Sequence, residues 1–271
     1  VTTLTIAGLQ FAPGDDLAAN LETVRGAAVE AASRGIQLLV TPEYTSYSTP
    51  SIDDRFVAAA EPLDGPFVTG LRRIARSTGV ALVVGVAEAA DRADRFRNTL
   101  VAIGPDGAIV CSYRKVHLYD AFGSRESDHI AAGDPEQLPV FELGGVRVGL
   151  ETCYDLRFPE VTRRLTAPDA GAADVVVLPA QWVRGPGKEH HWRTLLTARA
   201  IEETVWVIGV GQAPPLGVGG SVAVDPSGTV VAALGSDPGL LVTTVDTGAT
   251  ERVRTVNPAL ALRRYDVVPR G

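Results

Sequence analysis

Two rhythms of apolar residues alternate along this 271-residue chain. Val1 to Phe11 switches between apolar and polar in the manner of a half-buried strand, and Asp15 to Arg34 then sets Leu21, Val24, Ala28 and Ala31 at helical spacing. Gly35 suits a helix stop. Ile36 to Thr41, apolar apart from Gln37 until its last residue, reads as a buried parallel strand closing at Pro42-Glu43. Phe67 to Ser77 and Val80 to Ala87 repeat the helix and the buried strand.

The rhythm then changes. Between Asn98 and Lys115 two apolar runs flank Gly104-Pro105-Asp106-Gly107, a hairpin signal, and Gly220 to Gly235 has the same layout around Asp225-Pro226-Ser227-Gly228. Each hairpin follows a buried strand, the second after Val205 to Val210, and Ile36 to Pro42 and Val175 to Pro179 are both apolar strands ending in proline. The duplication predicts a pseudo-twofold pair of α/β layers. Between the halves, Val146 to Thr152 predicts a strand leading to Cys153, Phe158 to Leu165 a short helix with Pro159 in its first turn, and Lys188 to Glu203 a helix with Trp192, Leu195, Leu196 and Ala200 on one face. No linker or low-complexity run divides the chain, so one domain over residues 1–271 is expected, built of mostly parallel sheets covered by helices. In such folds ligand sites gather at the carboxyl ends of strands, where Glu43 and Cys153 stand.

Composition narrows the function. With 45% hydrophobic residues the chain can bury a large core. No apolar run approaches the roughly 18 residues of a membrane span, and no basic segment with a following apolar stretch opens the sequence, so a soluble, cytoplasmic protein without membrane partners is expected. A net charge of -7 and no basic stripe argue against nucleic acid as a partner. The two cysteines, Cys111 and Cys153, are too few for a disulfide framework and read as thiols. Of the 25 basic residues only Lys115 and Lys188 are lysines, so each calls for an explanation.

A lone cysteine is more often a buried structural thiol than a nucleophile. The setting of Cys153 points the other way: it follows a buried strand and opens a polar turn before a helix, where the backbone N–H of Tyr154 can face a developing anion. Cys111, behind Ile109 and Val110 in a hairpin strand, is the inert contrast. The four histidines, His117, His129, His190 and His191, read as structural or solvated, and neither cysteine has a metal-ligand spacing, so no metal or cofactor is expected. Glu43 is the available base, a carboxylate closing a buried strand where desolvation would raise its pKa toward neutrality; a helix cap or a solvated loop charge is the alternative. Lys115 would by default reach solvent, but a chain that otherwise prefers arginine has kept a compact ammonium there, as an oxyanion site can use.

Thr41-Pro42-Glu43-Tyr44, Tyr113-Arg114-Lys115-Val116-His117-Leu118 and Thr152-Cys153-Tyr154-Asp155-Leu156-Arg157-Phe158-Pro159-Glu160 resemble, in order, the three signatures of the nitrilase (carbon-nitrogen hydrolase) superfamily, and the similarity runs from about Leu4 to about Asp266. The resemblance implies a four-layer α-β-β-α sandwich, a homodimer or higher homo-oligomer, a Glu43, Lys115 and Cys153 catalytic set, and no metal. Arg125-Glu126-Ser127-Asp128 is similar to the segment that carries the family's second glutamate, with the usual aromatic displaced to Phe122 or replaced by Ser124; this extends the set to Glu126, whose alternative is an exposed loop acid. Tyr154-Asp155 after the cysteine resembles the branch of omega-amidases and deaminated-glutathione amidases, which implies hydrolysis of a small-molecule carboxamide through a cysteine thioester. A nitrilase or N-carbamoyl hydrolase, acyl transfer to an amine and a non-catalytic scaffold are the alternatives. Arg157, Trp182 and Tyr47 are candidate pocket residues, and loops around 44–60, 117–135 and 181–190 would shape the pocket.

Overall fold

The computed structural model describes residues 1–167 and 171–269. The chain opens with strand β1 (Thr3–Gln10), helix α1 (Leu17–Ser33), β2 (Leu38–Val40), α2 (Asp54–Ala59), α3 (Pro66–Thr78) and β3 (Ala81–Ala89), followed by the hairpin β4 (Phe96–Ile103) and β5 (Ile109–Arg114). A second series follows: β6 (Val140–Leu143), β7 (Val146–Leu150), α4 (Pro159–Thr166), β8 (Val175–Ala180), α5 (Lys188–Glu203), β9 (Trp206–Gly211) and the hairpin β10 (Val222–Val224) and β11 (Val230–Ala233). The chain then returns through β12 (Gly239–Asp246) to α6 (Thr247–Val256).

The strands form two six-stranded sheets, ordered β12-β1-β2-β3-β4-β5 and β11-β10-β9-β8-β7-β6. Read from β12 and from β6 respectively, both sheets pair in the same succession: antiparallel, two parallel pairs, then two antiparallel pairs. The pseudo-twofold expectation holds, but the expected mostly parallel sheets are corrected to mixed ones. Only the central strands are joined by helical crossovers; each sheet ends in a hairpin on one side and an antiparallel edge strand on the other. The two hairpin turns match in detail, with Gly107 and Gly228 both at positive φ (80° and 88°) and a register shift in each hairpin.

The sheets pack face to face through Leu4, Ile6, Val40, Val83 and Leu100 of one and Val148, Leu150, Val177 and Ile208 of the other. Val24 and Ala28 of α1 and Leu71 and Ile74 of α3 cover the outer face of the first sheet on Leu39 and Leu82. Val161 and Leu165 of α4 and Trp192 and Leu196 of α5 cover the second on Val176 and Val207. The architecture is the α-β-β-α sandwich. Alternate residues of one strand thus serve two apolar layers, which is why the central strands read as unbroken apolar runs.

Helix boundaries follow local chemistry. Asp16 caps α1 by accepting from the Ala18 and Ala19 N–H groups, and α3 begins with Pro66 at a position where the missing N–H costs nothing. A fourth apolar cluster, Tyr44, Tyr47, Phe56 and Phe96, fills the corner beyond β2 and anchors the loop after Glu43.

Candidate active site

Glu43 lies three residues past β2, where the chain turns sharply with Tyr44 at φ 57°. The turn presses against β3: a Cβ on Gly85 would sit 2.6 Å from Pro42 O and 2.8 Å from Glu43 Cα, so only glycine lets the two backbones approach. Lys115 immediately follows β5, with its backbone held by Asn98 and Gly133. Cys153 opens a short 3₁₀ turn after β7 in the left-handed conformation, φ 46°, a strained placement for a side chain with a Cβ and of a kind that clusters at functional sites. Glu126 sits in another short 3₁₀ turn.

These four side chains meet. Lys115 Nζ is 2.9 Å from Glu43 Oε1 and 2.9 Å from Glu126 Oε2, with 1% of the lysine side chain exposed. Glu43 also accepts from Asn98 Nδ2 at 2.7 Å and, through its other oxygen, from the Gln181 backbone N–H at 2.6 Å. Glu126 accepts from the Tyr44 hydroxyl at 3.1 Å and the Tyr119 N–H at 2.7 Å. Cys153, 9% exposed, lines a cavity of about 310 Å³ with Glu43, Glu126, Tyr154, Arg157 and Trp182.

Burial and then the charge of Glu43 push the Cys153 thiol well above its ordinary value, with Lys115 opposing. The group therefore rests as a thiol and reacts as a nucleophile only if a neighbour takes its proton. Burial pushes Lys115 down, but Glu126 and Glu43 outweigh it and hold the ammonium well above its ordinary value. A protonated thiol and a hydrogen-bonded carboxylate on one cavity wall, with a buried cation behind that carboxylate, can supply a nucleophile, a proton acceptor and a positive charge next to the same space.

Of the residues expected from sequence, Glu43, Lys115, Cys153 and Glu126 come together, and Tyr154, Arg157 and Trp182 line the cavity. Glu126 is buried rather than an exposed loop acid. Tyr47 does not line the cavity: its ring packs edge-on against Phe56, 5.1 Å between centroids, within the corner cluster. Both cysteines are free, and half-buried Cys111 is pushed up to about 11 by burial alone. His117 is structural, its Nδ1 2.8 Å from Asp155 Oδ1 and its ring stacked on Phe158. No cluster of metal-ligating side chains occurs among the described residues, nor any helix long and apolar enough to cross a membrane.

Sequence reasoning missed Asn98, Gln181 and the position of Lys188. Lys188 opens α5 inside the cavity, 8% exposed, with Nζ 2.7 Å from the Tyr119 hydroxyl and 4.0 Å from the centre of the Phe122 ring. Arg157 lies close by, its guanidinium 4.8 Å over the Trp182 ring, and neither cation forms an ion pair with a carboxylate among the described residues. The scarcity of lysine was the available signal; its location depended on the fold of the 181–190 loop.

Residues 5–255 match the carbon-nitrogen hydrolase family model. The chain is 37% identical to the deaminated glutathione amidase of Escherichia coli O157:H7 over 97% of its own length and 98% of that protein's. Among solved structures, the NitFhit protein of C. elegans superposes with a TM-score of 0.88 at 27% identity, covering 98% of this chain and 67% of that one. A mutant amidase from Nesterenkonia sp. AN1 superposes with a TM-score of 0.78 at 28% identity over 97% of this chain and 94% of the other, and carries the acetamide moiety of fluoroacetamide covalently at its active-site cysteine.

Proposed function

The chain belongs to the carbon-nitrogen hydrolase family and is an amidase; from that premise we propose that it hydrolyses a small carboxamide bearing an anionic group, through a thioester on Cys153. The observation that carries this reading is the buried Lys115 ammonium hydrogen-bonded to both Glu43 and Glu126, with those two carboxylates and Cys153 lining one cavity.

Glu43 takes the Cys153 proton as sulfur attacks the amide carbonyl, which fits a nucleophile that rests as a thiol. Lys115 and the Tyr154 N–H stabilise the oxyanion, and Glu43 returns the proton to departing ammonia. A water activated by Glu43 then opens the thioester to the carboxylate. Glu126 shares the charge of Lys115 with Glu43 and holds the ammonium in place.

Arg157 and Lys188 favour an anionic substrate. Neither of these two cations has a carboxylate partner among the described residues, so both gain from a ligand that brings one. Deaminated glutathione, named for the E. coli relative, is such a molecule, and the amides of α-keto acids form the same class.

Ammonia release tests the reading across matched pairs of neutral and carboxylate-bearing amides, with nitriles and carbamoyl compounds alongside. The carboxylate-bearing amides should react with the higher kcat/KM, Cys153→Ala should abolish turnover, and Cys111→Ala should leave it unchanged. Turnover by Cys153→Ala at the parent rate would overturn the mechanism. A panel in which nitriles outrun amides would replace the substrate class.

A further inference from the structure

The turn bearing Cys153 and the strand bearing Lys115 belong to different sheets, and the proposed chemistry needs them in fixed register. One buried carboxylate spans them. Asp155, with no exposed surface, accepts from the Tyr113 hydroxyl at 2.7 Å and the Thr152 N–H at 3.2 Å through Oδ2. Through Oδ1 it accepts from the His117 N–H at 3.0 Å and lies 2.8 Å from His117 Nδ1. Tyr113 and His117 stand two residues before and two after Lys115, and Thr152 immediately precedes Cys153.

We propose that Asp155 is a positioning residue for the reaction: its carboxylate ties the Cys153 turn of one sheet to the Lys115 strand of the other. The inference rests on the reading that Cys153 is the nucleophile and Lys115 stabilises the oxyanion.

The arrangement is specific to a carboxylate. Each oxygen faces one backbone N–H that has nowhere to turn, Thr152 on Oδ2 and His117 on Oδ1. An asparagine offers a single acceptor oxygen, so either way round its NH₂ group opposes one of those two donors. One orientation loosens the nucleophile turn and the other loosens the lysine strand. The strained φ of Cys153 makes the first especially consequential, because a left-handed residue persists only where its surroundings over-determine it. A second hold on the same turn, Arg199 Nη2 donating to Leu156 O at 2.7 Å, lies two residues beyond Cys153's own neighbour and leaves Cys153 itself to Asp155.

The test compares Asp155→Asn and Tyr113→Phe with the parent in three measurements: kcat and KM for one amide, the alkylation rate of Cys153 by iodoacetamide located by mass spectrometry, and the thermal midpoint. Asp155→Asn should lower kcat by about 10²-fold, the cost of an ångström-scale misplacement, with KM within about threefold. Its Cys153 alkylation should change with kcat while Cys111 alkylation stays constant. Tyr113→Phe, which removes one donor and no charge, should lower kcat by roughly tenfold with KM held. A purely structural Asp155 would lower the thermal midpoint and leave kcat per folded molecule and Cys153 alkylation within twofold of the parent, and that result in both variants overturns the proposal. If Asp155→Asn does not fold, Tyr113→Phe decides alone. Cys153→Ala in the same assay separates the two failures: an active Cys153→Ala removes the underlying mechanism, whereas an inactive one beside two unimpaired variants removes only the role of Asp155.

Discussion

The chain's two lysines both stand near Cys153, in environments of opposite kind. Lys115 is enclosed and already paired, with Glu43 on one side and Glu126 on the other. Lys188 rests on aromatic rings and a tyrosine hydroxyl with Arg157 for a neighbour; burial first, and then that second cation, lower its pKa. A buried cation with its counter-charges built in belongs to the fixed machinery of a site, whereas one held beside another cation is a deficit that a bound anion would relieve. The difference separates the residue proposed to act on the reacting bond from the residue proposed to choose the substrate.

Replacing each lysine breaks the comparison most directly. Lys115→Gln should lower kcat on the order of 10³-fold for every amide, as expected when a transition-state donor is lost, and should destabilise the fold because Glu43 and Glu126 remain buried without their cation. Lys188→Ala should leave kcat near the parent value and raise KM for carboxylate-bearing amides by about 10- to 100-fold, the worth of one charge-assisted hydrogen bond, with no such penalty for neutral amides. Equal losses for neutral and anionic amides in Lys188→Ala would assign both lysines to the same role.

A pH series sharpens the same contrast with a smaller effect. Since Lys188 has a lowered pKa, its charge disappears at a pH where an ordinary lysine would still be protonated. The KM for anionic amides should therefore climb several-fold on the alkaline side, earlier than an unperturbed ammonium would permit, while the KM for neutral amides stays flat and Lys188→Ala shows no climb. Lys115, raised rather than lowered, keeps its charge throughout that range.

How far the sequence foretold these environments depended on which side chains a single segment could speak for. Glu43 and Cys153 were legible because each closes a buried strand, and Lys115 because it ends a hairpin strand in a chain nearly without lysine. The cradle around them was not, because Asn98, Gln181, Asp155 and Tyr119 reach the site from four separate segments that only the packed sheets bring together. Elements with a weak apolar signal were also missed: α2 buries only Phe56, α6 buries only Gly248 and Thr250, and edge strand β12 dilutes its buried Leu241 and Val245 with Thr243 and Thr244. With β12 and β6 missed, the expectation of mostly parallel sheets gave the central strands, which are indeed parallel, more weight than the two hairpins already read from the turns.

Glu151 extends the comparison to a buried group of the other sign. It lies two residues before Cys153, fully buried, accepting from the Thr162 hydroxyl at 2.9 Å through one oxygen, while the other has no partner among the described residues. Burial first, then the charge of Asp155, push its carboxyl up to about 8, so near neutral pH it is an uncharged acid; it has no ammonium beside it as Glu43 has in Lys115. In the unfolded chain the same carboxyl ionises near its ordinary value of 4.5. Between the two values the folded protein binds the extra proton, so the contribution of this residue to stability is complete at low pH and is lost as pH rises to about 8, at no more than about 1.4 kcal/mol per unit, after which it is level. Glu151→Gln keeps an acceptor for Thr162 and has no proton to lose. Denaturant titrations from pH 5 to 9 should show a slope in the parent that flattens in the variant, with kcat nearly unchanged at pH 7. An unchanged slope would mean that Glu151 finds a counter-charge in the folded protein, as Lys115 does.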